Sequence, residues 1–373
     1  MNFSLTTLWH ERNRFLPGVL AVAFSALLIT VQFGILVGLL SLTSIPVDLA
    51  SADIWVGHPA VLSVDIGKPI PEAWLPRVQS QPEVERVEKY MLWLMMADRP
   101  GGKTSICTVI GTRLDDGSLG VLRAVPEQLR EKLSEPGSVV VDESDRERLG
   151  FTGVGDVAEV MGHRVRLIGT VHHVKSLAAP YLFCSVETAH GLIDFMPRSQ
   201  TVYLLAKVRN PADAPAVAER LRRSYPDMSV YTRDEFSWRT RMHWLTATKS
   251  GIAIGGSAVL GLLVGAVVTS QTLYAATAAS LREFATLRAL GIPRWRIAAS
   301  VLELSLWIGG AGVVLALPAA YGAARVVDWL GARASLPWWL VTGSLAVTMV
   351  MAMLSGLAAL RSLRLIEPAQ LLR

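Results

Sequence analysis

Residues 281–296 read LREFATLRALGIPRWR and separate two long apolar stretches of the chain. Leu281, Phe284 and Arg288 recur at helical spacings of three and four, and Leu287 lies on a neighbouring face. The segment therefore predicts a short helix with an apolar stripe flanked by charges. A glycine and then a proline near its end favour a helix stop and a new start. A compact charged helix between two apolar stretches indicates a surface to which another molecule binds.

Four stretches are long enough and sufficiently free of charge to cross a membrane. They cover residues 15–42, 250–275, 297–325 and 337–360. The first is too long for the core of a signal peptide, so we expect it to be retained as a span. Hydrophobic residues make up 51% of the chain, charged residues 18%, and the mean hydropathy is +0.39. These values indicate a membrane protein with four transmembrane α-helices and a large polar insert.

The insert covers residues 43–249, between the first and second spans, and holds nearly all of the Asp, Glu and Pro. We expect an α+β domain, with two small lobes meeting near residues 113–137. Segments rich in β-branched and aromatic residues predict strands, at 52–56, 84–96, 104–112, 138–141, 157–174 and 201–208. Helices are predicted at 71–79, 126–133, 186–193 and 212–225. A further helix over 234–248, with two tryptophans, would form a stalk leading into the second span.

Arginines in the short segments predict the orientation of the chain in the membrane. They cluster in residues 1–14, which we expect to form an N-terminal interfacial helix, in residues 276–296, and in the tail at 361–373. We therefore expect both termini and the charged segment in the cytoplasm, with residues 43–249 and the short loop at 326–336 on the external side of the membrane. The net charge of +5 then reflects this topology and gives no indication of nucleic-acid binding.

The order of these elements resembles the FtsX-like permease family of ABC transporters, which includes the macrolide-exporter and lipoprotein-release permeases. In that order, one span is followed by a large external domain and then by three further spans. The likeness rests on Arg282-Glu283-x-x-x-Leu287-Arg288-Ala289-Leu290-Gly291 in the charged segment and on the closing Pro368-x-x-Leu371-Leu372-Arg373. A closer likeness, to DevC-like (heterocyst-type) exporter permeases, rests on Leu8-Trp9-His10-Glu11, Ala23-Phe24 and Gln32-Phe33-Gly34.

The resemblance implies a non-catalytic permease of a bacterial inner membrane, with no cofactor of its own. ATP and Mg²⁺ would be bound by a partner ABC ATPase, and two permease copies would assemble as a homodimer in membrane lipid. The DevC likeness adds a periplasmic adaptor protein, an outer-membrane channel of the TolC type, and an amphipathic or lipid-like cargo. The alternative is a permease that transports nothing and instead controls a periplasmic enzyme or signals a ligand. A membrane-anchored binding protein would leave the charged segment unexplained.

The resemblance also implies that the charged segment is a coupling helix that docks on the ATPase. The residues assigned to docking are Leu281, Glu283, Phe284, Leu287, Arg288, Gly291 and Arg294. The simpler interpretation is a loop whose arginines only fix the topology at lipid headgroups. The ordered spacing of Glu, Leu and Gly exceeds what topology requires and favours docking.

Several other patterns do not support a chemical site. Residues 97–104 (ADRPGGKT) fit a relaxed phosphate-binding loop, but residues 105–110 predict a strand where such a loop must open a helix. His163, His172 and His173 lack a Cys or carboxylate at ligand spacing, so we expect no metal. No spacing indicates a catalytic triad or a carboxylate pair, and we expect no catalysis by this chain.

Cys107 and Cys184 both lie in the insert, where an external compartment permits a disulfide. A disulfide and two separately buried thiols both remain open at this point. Glu303, just inside the third span, is interpreted as an ion-paired structural residue close to the cytoplasmic surface.

Glycines in the second span recur at the interval that permits close packing of helices. They form Gly251-x-x-x-Gly255 and Gly261-x-x-x-Gly265. We predict a packing seam against the first span or against a second copy of the chain. The simpler interpretation is a buried helix that merely tolerates glycine.

Overall fold

The computed structural model describes residues 12–98, 104–120, 125–172, 174–279, 293–330 and 333–363. These residues form two compact units. The helical unit contains the described residues up to Leu39 and from Lys249 onward, and the α/β unit contains Leu40–Thr248. The predicted combination of long apolar helices with an α+β part is therefore confirmed.

The described helices are α1 (Arg12–Thr43), α2 (Ile45–Asp48), α3 (Leu75–Gln79), α4 (Glu127–Leu133), α5 (Val186–Leu192), α6 (Ala214–Ser224), α7 (Arg233–Ala247), α8 (Lys249–Ala279), α9 (Arg294–Trp329) and α10 (Trp338–Leu363). The described strands are β1 (Ile54–Gly57), β2 (Ile70–Pro71), β3 (Val84–Asp98), β4 (Thr104–Thr112), β5 (Ser138–Asp142), β6 (Val157–Val160), β7 (His163–Val171), β8 (Tyr181–Ser185), β9 (Gln200–Thr201), β10 (Tyr203–Val208) and β11 (Ser229–Thr232).

Helices α1, α8, α9 and α10 form the helical unit, and each is long and apolar enough to cross a membrane. The mean hydropathy of their apolar segments lies between 1.8 and 2.4. Small residues let the helices approach closely: a β-carbon added at Gly312 of α9 would lie 2.7 Å from Val22 of α1. The hydroxyls of Thr30 on α1 and Ser344 on α10 are 2.7 Å apart. Packing and hydroxyl pairing thus hold the helices together. This is expected in a membrane, where apolar side chains are equally well buried against lipid and against another helix.

The 15-residue strand β3 organises the α/β unit, because it belongs to two lobes at once. Its first half pairs with β10, ending at Tyr90 opposite Tyr203. Its second half pairs with β4, beginning at Met91 opposite Gly111. The lobes meet along β3, since one continuous strand runs through both sheets. Part of the predicted junction near residues 113–137 lies there, because Ser118 and the backbone of Leu119 donate to Oε2 of Glu88 on β3, whereas the helix Glu127–Leu133 contacts β5 and β7.

The first lobe contains the strand order β11-β1-β10-β3, with helices covering one face. Helix α6 buries Ala214, Val217, Ala218 and Leu221, which recur at spacings of three and four and so form one stripe. These side chains pack with strand residues such as Leu204 in one apolar core.

The second lobe closes on itself. Its strands follow the order β3-β4-β8-β5-β7-β6, and β6 pairs back onto β3. The ring of pairings makes a small six-stranded barrel without a free edge within the lobe. The predicted strand at 157–174 is in fact two strands, β6 and β7, because Met161 and Gly162 adopt positive φ values of 48° and 82°. Two successive positive φ values are typical of a tight hairpin turn. The sequence analysis did not predict β8 or β11.

Candidate functional site

The charged segment lies largely outside the described residues, which exclude 280–292. That range contains the predicted docking residues Leu281, Glu283, Phe284, Leu287, Arg288 and Gly291. The next described residue is Pro293, which has φ −67° and ψ 145° and precedes the first residue of α9, Arg294. Pro293 is therefore extended, and the third long helix begins directly after it.

Gly261 and Gly265 of α8 face α1. An added β-carbon at Gly261 would lie 3.0 Å from Cγ of Gln32, and one at Gly265 would lie 3.1 Å from Cδ1 of Ile29. Ser257, one turn before Gly261, donates to Oε1 of Gln32 at 3.4 Å. The structure thus places the second glycine motif in a seam between the first and second long helices. In the first motif, Gly251 is buried and Gly255 half-buried.

The seam predicts a position-specific cost for larger side chains in α8. Gly265→Leu should force α1 and α8 apart and lower stability by about 1–3 kcal/mol, because the site is already filled by Ile29. Thermal unfolding of the full chain in detergent measures the effect. Gly256→Leu is the matched control, since an added β-carbon there meets nothing within 4 Å. Equal losses for the two variants would contradict the seam.

Arg241 of α7 binds the residues that follow α1. Its Nε donates to Oγ of Ser44 at 2.8 Å, and its Nη2 donates to Oδ2 of Asp48 at 2.6 Å. Ser44 also donates to the same Asp48 oxygen, at 2.7 Å. We call Ser44, Asp48 and Arg241 the stalk clasp. Because α1 ends at Thr43 and α8 begins at Lys249, the clasp joins the segment after the first long helix to the segment before the second.

A second set of bonds attaches α7 to residues 63–65. Nε1 of Trp244 donates to Oδ2 of Asp65 at 2.9 Å, and the backbone N–H of Val64 donates to Oγ1 of Thr240 at 3.2 Å. The hydroxyl of Tyr203, on β10, donates to the carbonyl of Val64 at 2.9 Å. The same short segment therefore contacts both α7 and the sheet, so hydrogen bonds link α7 to the first lobe.

The inner face of α7 is fixed by aromatic packing. Phe236 is buried, and its ring lies 5.6 Å from that of Trp55 and 5.7 Å from that of Tyr203. It also stacks on Tyr231, with ring centroids 5.4 Å apart and planes within 4°. Such pairs add to the apolar area that the rings bury. Helix α7 is thus an integral part of the first lobe.

The sequence analysis did not identify the clasp or Asp65. One local signal was present: Thr232 and Glu235 form a capping box, in which Thr232 accepts from the Glu235 backbone and Glu235 accepts from the Thr232 backbone. This motif fixes the start of α7 and hence the helical positions of Thr240, Arg241 and Trp244. Their partners lie about 175 to 200 residues earlier, and no sequence spacing indicates contacts over such a separation.

Burial raises the pKa of the Asp65 carboxyl from 3.8 to about 6, although hydrogen bonds from Trp244 and Ser63 oppose the shift. Between pH 4 and 6 the folded chain holds this proton and the unfolded chain releases it. The stability that protonated Asp65 contributes is therefore present below pH 4 and lost as the pH rises through 6.

Asp65→Asn should remove this pH dependence while retaining an oxygen that accepts from Trp244. The advantage of the variant over the parent chain should grow from pH 4 to pH 7 and reach up to about 3 kcal/mol. Hydrogen exchange of the α/β unit in both chains, compared at each pH, measures the difference. A variant that is equally destabilised at pH 5 and pH 7 would show that burial does not raise this pKa.

Cys107 and Cys184 are free, buried thiols, so the disulfide alternative is wrong. Thr108 pairs with Tyr181 in the parallel register of β4 and β8, which sets Cys184 four residues beyond the partner position of Cys107. Four residues of strand span about 13 Å, too far for a disulfide. Burial raises the pKa of the Cys107 thiol to about 12 and that of Cys184 further, so both stay protonated.

The remaining candidates make no chemical site in the described part of the chain. Residues 99–103 of the phosphate-loop lookalike and His173 lie outside the description, and β4 begins at Thr104. A strand, not a helix, therefore follows that loop. Among the described residues no three His, Cys, Asp or Glu side chains converge on a metal position. Glu303 is half-buried, and no ion pair joins it to Arg296 within those residues.

Comparison with known proteins gives two family matches. The FtsX-like permease C-terminal domain matches residues 255–368, and the MacB-like periplasmic core domain matches residues 19–224, more than half of the chain. The curated proteins yield no significant match.

The solved structures that show similarity to the chain include two domains of transporters. The periplasmic region of MacB from Actinobacillus actinomycetemcomitans is 14% identical, with 50% of this chain and 91% of that one covered and a TM-score of 0.34. The extracellular domain of the noncanonic ABC-type transporter YknZ from Gram-positive bacteria is 12% identical, with 48% and 98% covered and a TM-score of 0.32. On the two family matches, which together extend over residues 19–368, the chain belongs to the FtsX-like family of ABC transporter permeases and carries a MacB-like periplasmic domain.

Proposed function

We propose that this chain is the non-catalytic permease subunit of an exporter and transmits the motion of a separate ATPase to its own periplasmic domain. The stalk clasp is the observation that carries the proposal. Arg241 holds the segment that follows the first long helix against the segment that precedes the second. A displacement of either helix would therefore reach the same base of the α/β unit.

The proposed topology follows the arginine distribution. Residues 43–249 would lie in the periplasm between spans at 15–42 and 250–275, and the loop at 326–336 would lie on the same side. The segments 1–14, 276–296 and 361–373 would be cytoplasmic, with further spans at 297–325 and 337–360. This arrangement gives the ATPase access to the charged segment and keeps the clasp on the opposite side of the membrane.

The charged segment is the proposed docking element. Leu281, Phe284 and Leu287 would enter a groove on the ATPase, while Glu283 and Arg288 would fix the register of the helix. ATP and Mg²⁺ would be held by that partner alone. Family membership supports this division of labour, since the matching C-terminal domain covers the segment within residues 255–368.

The wider assembly is proposed on the same grounds. Two copies of the chain would act with two ATPases, and a periplasmic adaptor and a TolC-type outer-membrane channel would complete an export path for an amphipathic or lipid-like cargo. Loss of cargo export on removal of the adaptor would support this assembly. Normal ATPase coupling without any transported cargo would favour a regulatory permease instead.

The docking proposal is tested in the charged segment itself. Leu287→Ala should weaken association with the ATPase by about 2 kcal/mol, because truncating a buried apolar anchor removes an interface hot spot. Arg288→Glu should weaken it further, because it adds an unpaired or repelled charge. Co-purification of the ATPase and its stimulated activity measure both effects.

Arg294→Lys is the control, because it keeps the positive charge outside the proposed register residues and should change little. Membrane insertion is checked separately for each variant. If Leu287→Ala and Arg288→Glu both insert and retain the ATPase at parental levels, the segment serves only topology and the docking proposal fails.

The clasp makes a separate prediction about transmission. In the assembled transporter, ATP binding should change hydrogen exchange in residues 45–50 and in α7. Arg241→Ala should abolish that change while leaving ATPase association intact, because the guanidinium bonds Ser44 and Asp48 directly.

Arg77→Ala is the matched control for this experiment. Arg77 pairs with Asp227 at 3.0 Å and its side chain is 40% exposed, close to the 35% of Arg241, but it lies away from the clasp residues in the chain. An unaltered ATP response in the Arg241 variant would show that the clasp does not carry the motion.

A further inference from the structure

A groove of about 580 Å³ runs along the outer face of α7. Its helical side chains recur at spacings of three and four, on the face that adjoins the buried Phe236 and Thr240. Neighbouring elements complete its walls. The lining includes the apolar side chains Leu62, Trp238 and Met242 and the polar side chains Glu235, Arg239 and His243.

Two guanidinium groups converge on one ring in this groove. The guanidinium carbon of Arg239 lies 5.2 Å from the ring centroid of Tyr231, and that of Arg222 lies 5.8 Å from the same centroid. Arg222 is already paired with Glu219 and Glu235. Arg239 has no carboxylate at ion-pair distance among the described residues, so the groove carries an uncompensated positive charge.

Three large apolar side chains also line the groove, and two of them are open to its surroundings. Trp238 is 65% exposed and Leu62 is 47% exposed, while Met242 is half-buried. These apolar side chains lie beside Arg239 in the same groove. Tryptophan and arginine together are typical of the boundary between water and lipid, because each has an apolar body and a polar end.

The chain keeps this groove close to the start of the second long helix. From Arg239 to the end of α7 the helix rises about 12 Å, and the two further residues to Lys249 add at most about 7 Å. Arg239 is therefore within about 19 Å of the first residue of α8, and Met242 and His243 are nearer. The headgroup layer of a membrane is about 5–8 Å thick. An arginine side chain at the distance of Arg239 from the second long helix can therefore extend to the headgroups.

We propose that the groove binds the headgroup of an anionic phospholipid from the outer leaflet, an inference that rests on the proposed periplasmic position of residues 43–249. Arg239 binds the phosphate in a charge-assisted hydrogen bond, with His243 beside it. Trp238, Met242 and Leu62 contact the glycerol and the upper acyl chain. The groove thereby anchors the stalk helix to the membrane surface on which it stands.

A second copy of this chain is a weaker match for the same groove. In a symmetric contact each groove would face its own copy, so the uncompensated Arg239 would meet a surface with the same excess positive charge. The two acidic residues in the first turn of α7 do not change this, because Asp234 pairs with Arg233 and Glu235 already binds Arg222 and the Thr232 backbone.

The test measures lipid binding by the full chain without the ATPase, so its outcome is independent of docking. The chain is purified in detergent, titrated with phosphatidylglycerol or phosphatidylcholine, and examined by native mass spectrometry. We expect phosphatidylglycerol to bind about tenfold more tightly than phosphatidylcholine, because only the first leaves a net negative charge for Arg239. Arg239→Ala should remove this preference, and Arg239→Lys should retain most of it.

Arg223→Ala is the control, because Arg223 is 78% exposed and pairs with Glu219 outside the groove. Trp238→Ala should weaken binding of both lipids. Equal binding of phosphatidylglycerol by the parent chain and by Arg239→Ala would overturn the proposal. So would a dimer of the purified chain that Trp238→Ala dissociates while lipid binding is unchanged, since the face would then join two copies.

Discussion

The bidentate contact of Arg241 with Ser44 and Asp48 is the constraint on which the arrangement of the stalk depends. It joins the residues just after the first long helix, which ends at Thr43, to the residues just before the second, which begins at Lys249. The Arg241 and Asp48 side chains are each about one-third exposed, so solvent screening limits their contribution to stability. Their importance lies in geometry, because a planar guanidinium that binds two oxygens fixes direction as well as distance.

Around this contact the α/β unit is stiff where it continues into the sheets. Helix α7 is held by the ring of Phe236 in the aromatic core, and residues 63–65 bind both α7 and Tyr203. Strand β3 then runs unbroken from the first lobe into the closed barrel of the second. The pairing of β6 with β3 closes this ring of strands, so the second lobe has no free strand edge.

The helical unit uses a different chemistry, since lipid removes the hydrophobic preference for burying one apolar surface against another. Gly265 lets α8 lie against Ile29, Gly312 lets α9 lie against Val22, and Ser355 on α10 donates to Ser270 on α8 at 3.0 Å. Close contacts between small residues and paired hydroxyls therefore hold these helices together.

The sequence by itself determined the four long apolar helices, the α+β insert and the membership of the FtsX-like family, because these depend on length, hydropathy and local motifs that are read along the chain. It also contained the second glycine motif that forms the seam. Only the tertiary structure decided that Cys107 and Cys184 stay apart, that β3 joins the lobes, and that Arg241 meets Asp48. Each of these depends on strand register or on contacts between residues far apart in the chain, and local sequence patterns do not encode either.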